Sequence, residues 1–122
     1  MRAILIMAHG SPRPEANGDI RKVADLVRSE SGQAFVTIGY LDRNEPDIAS
    51  AIDNCVHAGA TTIAAVPYFL HSGRHLLRDV PVILKGAALR HPAVTILMGD
   101  CVGHQPQIAE VLLDRVHTFM TT

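Results

Sequence analysis

Four short apolar runs, each separated from the next by a stretch of helical periodicity, constrain this chain more than any other feature. Ala3–Ala8, Ala34–Leu41, Thr61–Pro67 and Ala93–Met98 are runs of six to eight residues rich in Ile, Val, Leu and Ala. Continuous apolar runs of that length suit strands covered on both faces. Between them, Ala16, Ile20, Val23 and Val27 keep one side of a helix that Ser31-Gly32 ends. Ile48, Ala51, Ile52, Cys55 and Val56 form the stripe of a second helix, which stops at Gly59. Val80, Ile83, Leu84, Ala87 and Ala88 mark a third, with Asp79 expected to cap it and Pro81 tolerated in its first turn. Ile108, Val111, Leu112, Val116 and Phe119 mark the last, with Pro106 near its start.

The order βαβαβαβα predicts a parallel sheet with helices on both faces and right-handed crossovers. Its 122 residues suit one domain spanning 1–122, large enough for a real core. Four strands leave an edge or a face open, so a homodimer is expected to cover it. A formal net charge of −1 leaves no nucleic-acid footprint. No apolar run reaches the roughly 20 residues a membrane-spanning helix needs. The apolar start runs directly into His9-Gly10-Ser11, which reads as a strand rather than a leader. Two cysteines make no disulfide framework, so the expected compartment is the cytoplasm.

In open α/β sheets, ligands bind beyond the carboxyl ends of the strands. The unusual residues gather there: His9-Gly10-Ser11-Pro12-Arg13 after the first run, and Asp42-Arg43-Asn44-Glu45-Pro46 after the second. Pro67-Tyr68-Phe69-Leu70-His71-Ser72-Gly73-Arg74-His75 follows the third, and Gly99-Asp100-Cys101-Val102-Gly103-His104 the fourth. If the first and third strands are neighbours, about 5 Å apart, His9 and the 68–75 segment face one cleft. There is no GxxxxGK[ST] for ATP, no GxGxxG after the first strand and no Gly-x-Ser-x-Gly elbow. Cysteine spacing for structural zinc is also absent.

The ordered set His9-Gly10-Ser11, Asn44-Glu45-Pro46, Phe69-Leu70…Gly73-Arg74-His75, Asp79-Val80-Pro81 and Gly103-His104 resembles the half-length class II tetrapyrrole chelatases of the CbiX and SirB type. The resemblance covers essentially the whole chain. It implies a flavodoxin-like open sheet of order 2-1-3-4 and a homodimer of short chains. It also implies ATP-independent insertion of a divalent metal into sirohydrochlorin, for cobalamin or siroheme synthesis. Cobalt or ferrous iron is the expected metal, with nickel a further candidate, and it is a substrate rather than a prosthetic group. His9 and His75 map to the family's metal-site histidines, His9 also as proton acceptor. Glu45 maps to the acidic residue that contacts substrate or helps the metal site. Leu70, His71, Ser72, Gly73 and Arg74 map to the segment against the macrocycle. Ser11, Arg13 and Phe69 complete the expected substrate contacts. The last-strand motif departs from the family's Gly-x-His-Pro, reading Gly103-His104-Gln105-Pro106, so His104 receives no role.

The chemistry suits these residue types. Neutral imidazole binds cobalt, iron or nickel yet releases them, where four thiolates would not. Its ordinary pKa of about 6.5 suits proton acceptance near neutrality. Plainer readings hold elsewhere. His57, His91 and His117 fall near helix C-termini, where imidazole complements the dipole. Cys55 belongs to an apolar stripe, and Cys101 has no paired cysteine and is expected to pack. One of Tyr68 and Phe69 is expected in the core. Two other functions compete: a histidine phosphatase, disfavoured because Ala8 stands where a phosphate-binding basic residue is wanted, and a non-catalytic tetrapyrrole or metal carrier on the same fold.

Overall fold

The computed structural model describes residues 1–70 and 73–120, and of Arg74–Leu77 the backbone alone. Strands β1 (Arg2–Ala8), β2 (Phe35–Tyr40), β3 (Thr62–Pro67) and β4 (Thr95–Met98) alternate with helices α1 (Pro14–Ser31), α2 (Ile48–His57), α3 (Arg74–Arg90) and α4 (Pro106–Met120). The sheet is parallel throughout and its order is β2-β1-β3-β4, as expected. β1 therefore lies between β2 and β3, with Ala8 opposite Tyr40 and Met7 opposite Pro67. That register brings the loops after β1, β2 and β3 to one edge.

The alternation of side chains on β1 divides the core in two. Ala3, Leu5 and Met7 pack with Ile48, Ala51, Ile52, Cys55, Ile63, Ala65, Val80, Leu84 and Ala87, beneath α2 and α3. Ile6 and Ala8 pack on the other face with Ile20, Ala24, Val36, Ile38 and Tyr40, beneath α1. Cys55 is in the first of these clusters, and burial pushes its thiol up to about 11. Gly32 ends α1 in the left-handed conformation, and Asp47 caps α2 by accepting the Ser50 N–H at 2.8 Å.

Two expectations need correction. Helix α3 starts at Arg74, with Gly73 as its extended N-cap, six residues before the expected cap at Asp79. Pro81 thus lies well inside the helix, where its missing N–H removes a bond to the carbonyl four residues back. The helix tolerates this because Pro81 is exposed while its neighbour Val80 is fully buried. β4 begins at Thr95 rather than 93, because the chain leaves α3 through a turn in which the Val94 N–H donates to the His91 carbonyl at 3.0 Å.

His91 caps α3 and its Nε2 stands 2.8 Å from Asp53 Oδ1, with Arg90 at 3.2 Å. The His91 bond, helped by Arg90, holds the Asp53 carboxyl below its ordinary value. This cluster joins the middle of α2 to the C-terminal end of α3, away from the unusual loops. Helix α4 differs from the other three, since none of its residues is buried.

Candidate functional site

At the carboxyl edge, His9 follows the end of β1 at Ala8 and the chain reverses at Gly10, whose φ of 93° lies in the left-handed region. A Cβ there would collide with the Asp42 carbonyl oxygen and stand 2.7 Å from Asn44 Oδ1. The β2 loop is stitched to this turn. Leu41 N–H donates to the Ala8 carbonyl at 2.7 Å, and Asp42 N–H to the His9 carbonyl at 3.0 Å. Ser11 N–H donates to Asn44 Oδ1 at 2.6 Å. Ser11 is held further by Asn17, whose Nδ2 donates to its carbonyl at 3.0 Å. Its hydroxyl accepts the Arg13 N–H at 3.1 Å, leading the chain into α1.

The β3 loop forms the opposite wall. Tyr68 N–H donates to the Met7 carbonyl at 2.7 Å, so this loop also starts in register with β1. The rings of His9 and Phe69 have centroids 4.6 Å apart, tilted by 48°. Phe69 is partly buried against the core, whereas Tyr68 is 46% exposed, so Phe69 is the aromatic that packs inward. His9, Ser11, Asn17, Tyr40, Tyr68 and Phe69 surround a hollow of about 190 Å³.

Beyond the aromatic pair lies an apolar groove of about 490 Å³ between Tyr68, Phe69 and Leu70 on one side and Val102, Ile108, Val111 and Leu112 on the other. Its two walls are locked together: Val102 N–H donates to the Phe69 carbonyl at 2.8 Å, and Gly103 lies so close to the Leu70 carbonyl that no side chain fits at 103. The hollow and the groove share Tyr68 and Phe69. A hollow with a few polar groups beside an apolar trough is the general make-up of a small-molecule site.

The expected residues divide as follows. His9, Ser11 and Phe69 share the hollow, and Leu70 lines the groove. Arg13 is exposed at the N-cap of α1. Glu45 is exposed and lines a different groove, of about 320 Å³, with Arg21, Asp25, Arg28 and Thr37; only Tyr40 is common to it and the His9 hollow. Gly73, Arg74 and His75 form the N-cap and first two positions of α3, so His75 begins a helix rather than ending a loop. The side chains of Arg74 and His75 lie outside the described residues, as do His71 and Ser72 altogether. Among the described residues, no three His, Cys, Asp or Glu side chains converge into a metal-holding group. Cys101 packs against the core and His104 is exposed with φ 55°. The residue that sequence reasoning passed over is Asn44, whose place before Glu45-Pro46 in a turn is the signal that could have found it.

The CbiX family profile matches residues 3–119. The chain belongs to the CbiX family. It is 32% identical over 120 residues to a sirohydrochlorin cobaltochelatase of Methanosarcina acetivorans, covering 93% of this chain and 92% of that one. It is 29% identical over 113 residues to the chloroplastic sirohydrochlorin ferrochelatase of Arabidopsis thaliana, covering 93% of this chain and 50% of the relative. The crystal structure of the sirohydrochlorin chelatase SirB from Bacillus subtilis subspecies spizizenii, in complex with cobalt, superposes with a TM-score of 0.91 at 28% identity. That match covers 97% of this chain and 50% of SirB. This CbiX chain therefore spans half the length of the plant and Bacillus relatives and nearly all of the archaeal one. No helix among its described residues is long and apolar enough to cross a membrane.

Proposed function

We propose that this CbiX chain is a sirohydrochlorin chelatase of the cytoplasm, inserting cobalt or ferrous iron without ATP, and that it works as a homodimer. The observation that carries the reading is the shared aromatic wall: the His9 hollow opens beside a trough lined almost wholly by apolar side chains. The activities of the cobalt- and iron-handling relatives support the choice of metals.

Insertion exchanges the ion's water ligands for ring nitrogens and releases two pyrrolic protons. His9 and His75 present the ion, and the moderate affinity of imidazole lets it leave. Once the ion has left its lone pair, His9 accepts one pyrrolic proton, a task for which neutral imidazole is suited, and the second passes to solvent water. Glu45 relays that proton outward or orients substrate from the adjoining groove. Phe69, Leu70 and the 71–74 segment lie against the macrocycle, Ser11 contacts it at the rim of the hollow, and Arg13 and Arg74 meet its peripheral carboxylates. The dimer covers α4, where Val111, Leu112 and Val116 are 43–62% exposed, and the exposed Leu97 and Met98 of β4. Exposed apolar side chains gathered along one helix in this way mark an association surface.

The test mixes purified protein with sirohydrochlorin and cobalt and follows the absorption spectrum of the ring. Conversion over many turnovers is expected. A stoichiometric complex that never yields product would replace the enzyme with a carrier. His9→Ala and His75→Ala are each expected to lower kcat by about 10²-fold or more. Near-normal turnover in either variant removes that histidine from the reaction.

A further inference from the structure

The geometry points to Asn44 as a positioning residue that fixes the His9 turn for metal insertion, an inference that rests on the chelatase reading. Three hydrogen bonds tie residues 8–11 to the β2 loop. Two of them are made by backbone amides, of Leu41 and Asp42, and any sequence could supply those. The third depends on a side chain: Asn44 Oδ1 accepts the Ser11 N–H at 2.6 Å. The same oxygen stands 2.7 Å from where a Cβ on Gly10 would be, so it fills the space beside the left-handed turn. The turn that leaves His9 is therefore held at two points. The His9 carbonyl is held by Asp42, and the amide two residues on is held by Asn44.

Asn44 is itself well braced. It is partly buried, its N–H donates to the Asp42 carbonyl at 2.8 Å, and Arg43 before it adopts φ 69°. The next residue is Glu45, so one short loop sets the path of both the His9 turn and the acidic side chain beyond it. Asn44 does not line the His9 hollow or the apolar trough. Its effect on the reaction thus passes through the backbone of His9. Misplacement of a reacting group by about 1 Å can cost about 10²-fold in rate.

The experiment compares the full chain with Asn44→Ala and Asn44→Asp. The alanine variant removes the acceptor; the aspartate keeps an oxygen at the same reach. Asn44→Ala is expected to lower kcat for cobalt insertion by about 10- to 100-fold while KM for sirohydrochlorin stays within about twofold. Asn44→Asp is expected to recover kcat to within a few-fold. The visible bands of protein-bound cobalt should shift in Asn44→Ala and return in Asn44→Asp. Hydrogen exchange at the Ser11 amide should quicken only in the alanine variant. A merely structural role predicts instead that lost activity follows the lost folded fraction, with unchanged cobalt bands, and that result overturns the assignment. So does an alanine variant as active as the parent, or an aspartate variant no better than alanine at equal folded fraction. A parent chain that never inserts cobalt sinks the chelatase reading and the positioning role together; an active parent matched by Asn44→Ala sinks the positioning role alone.

Discussion

Helices α2 and α4 carry the same kind of apolar stripe and meet opposite fates. In α2, Ile48, Ala51, Ile52 and Cys55 are at most 1% exposed, sealed against β1, β2 and α3. In α4, Val111, Leu112 and Val116 stand 43–62% exposed, and no residue of the helix is buried. Periodicity reports that a helix has an apolar side needing cover. It does not report whether the cover comes from the same chain. The exposed stripe begins at the apolar groove, so the region left uncovered by folding is continuous with the candidate site.

Substitutions on the two helices should separate these roles. Ile52→Ala empties a fully buried position and is expected to cost about 2–5 kcal/mol in denaturant unfolding, with turnover of the folded fraction little changed. A cost below about 0.5 kcal/mol would contradict the packed status of α2. Gly103→Ala forces a methyl group into the Leu70 backbone and is expected to cost about 1–3 kcal/mol, with a loss of sirohydrochlorin affinity. Leu112→Ser should change unfolding of the dilute chain by less than about 0.5 kcal/mol yet weaken self-association measured by sedimentation. If it destabilises the dilute monomer as Ile52→Ala does, the contrast between the helices fails.

The smallest effect belongs to Asp53, midway along α2. Its side chain is 40% exposed, so its pairing with His91 and Arg90 is worth well under about 1 kcal/mol. The folded carboxyl is held below its ordinary value of 3.8, so the contribution is present above that pH and is lost as the pH falls through the depressed value. Asp53→Asn should therefore lower stability slightly at neutral pH and not at all near pH 2, checked by thermal unfolding at both.

Much of the architecture was legible because each strand is a short apolar run bounded by turn residues. The sheet order followed only from the resemblance, since β-rich runs do not say which neighbours they take. The start of α3 was misread because Asp79 and Pro81 carry the chemistry of a helix start but lie within one. The true start at Arg74, after the Gly73 cap, falls in a stretch of sequence with no helical stripe. Of the site, the meeting of His9 with Phe69 was legible from strand adjacency. The separate groove of Glu45 was not, because the turn through Arg43 that directs it depends on a backbone conformation no pattern announces. Asn44 was passed over since its bond crosses between loops 33 residues apart.

The seam at Gly103 has a mechanical meaning. With backbone pressed on backbone there, the front of α4 and the aromatic panel beside the imidazole behave as one piece. Whatever steadies that helix from outside also steadies the aromatic panel beside His9, so in the proposed homodimer pairing of the subunits and grip on the ring would be a single event.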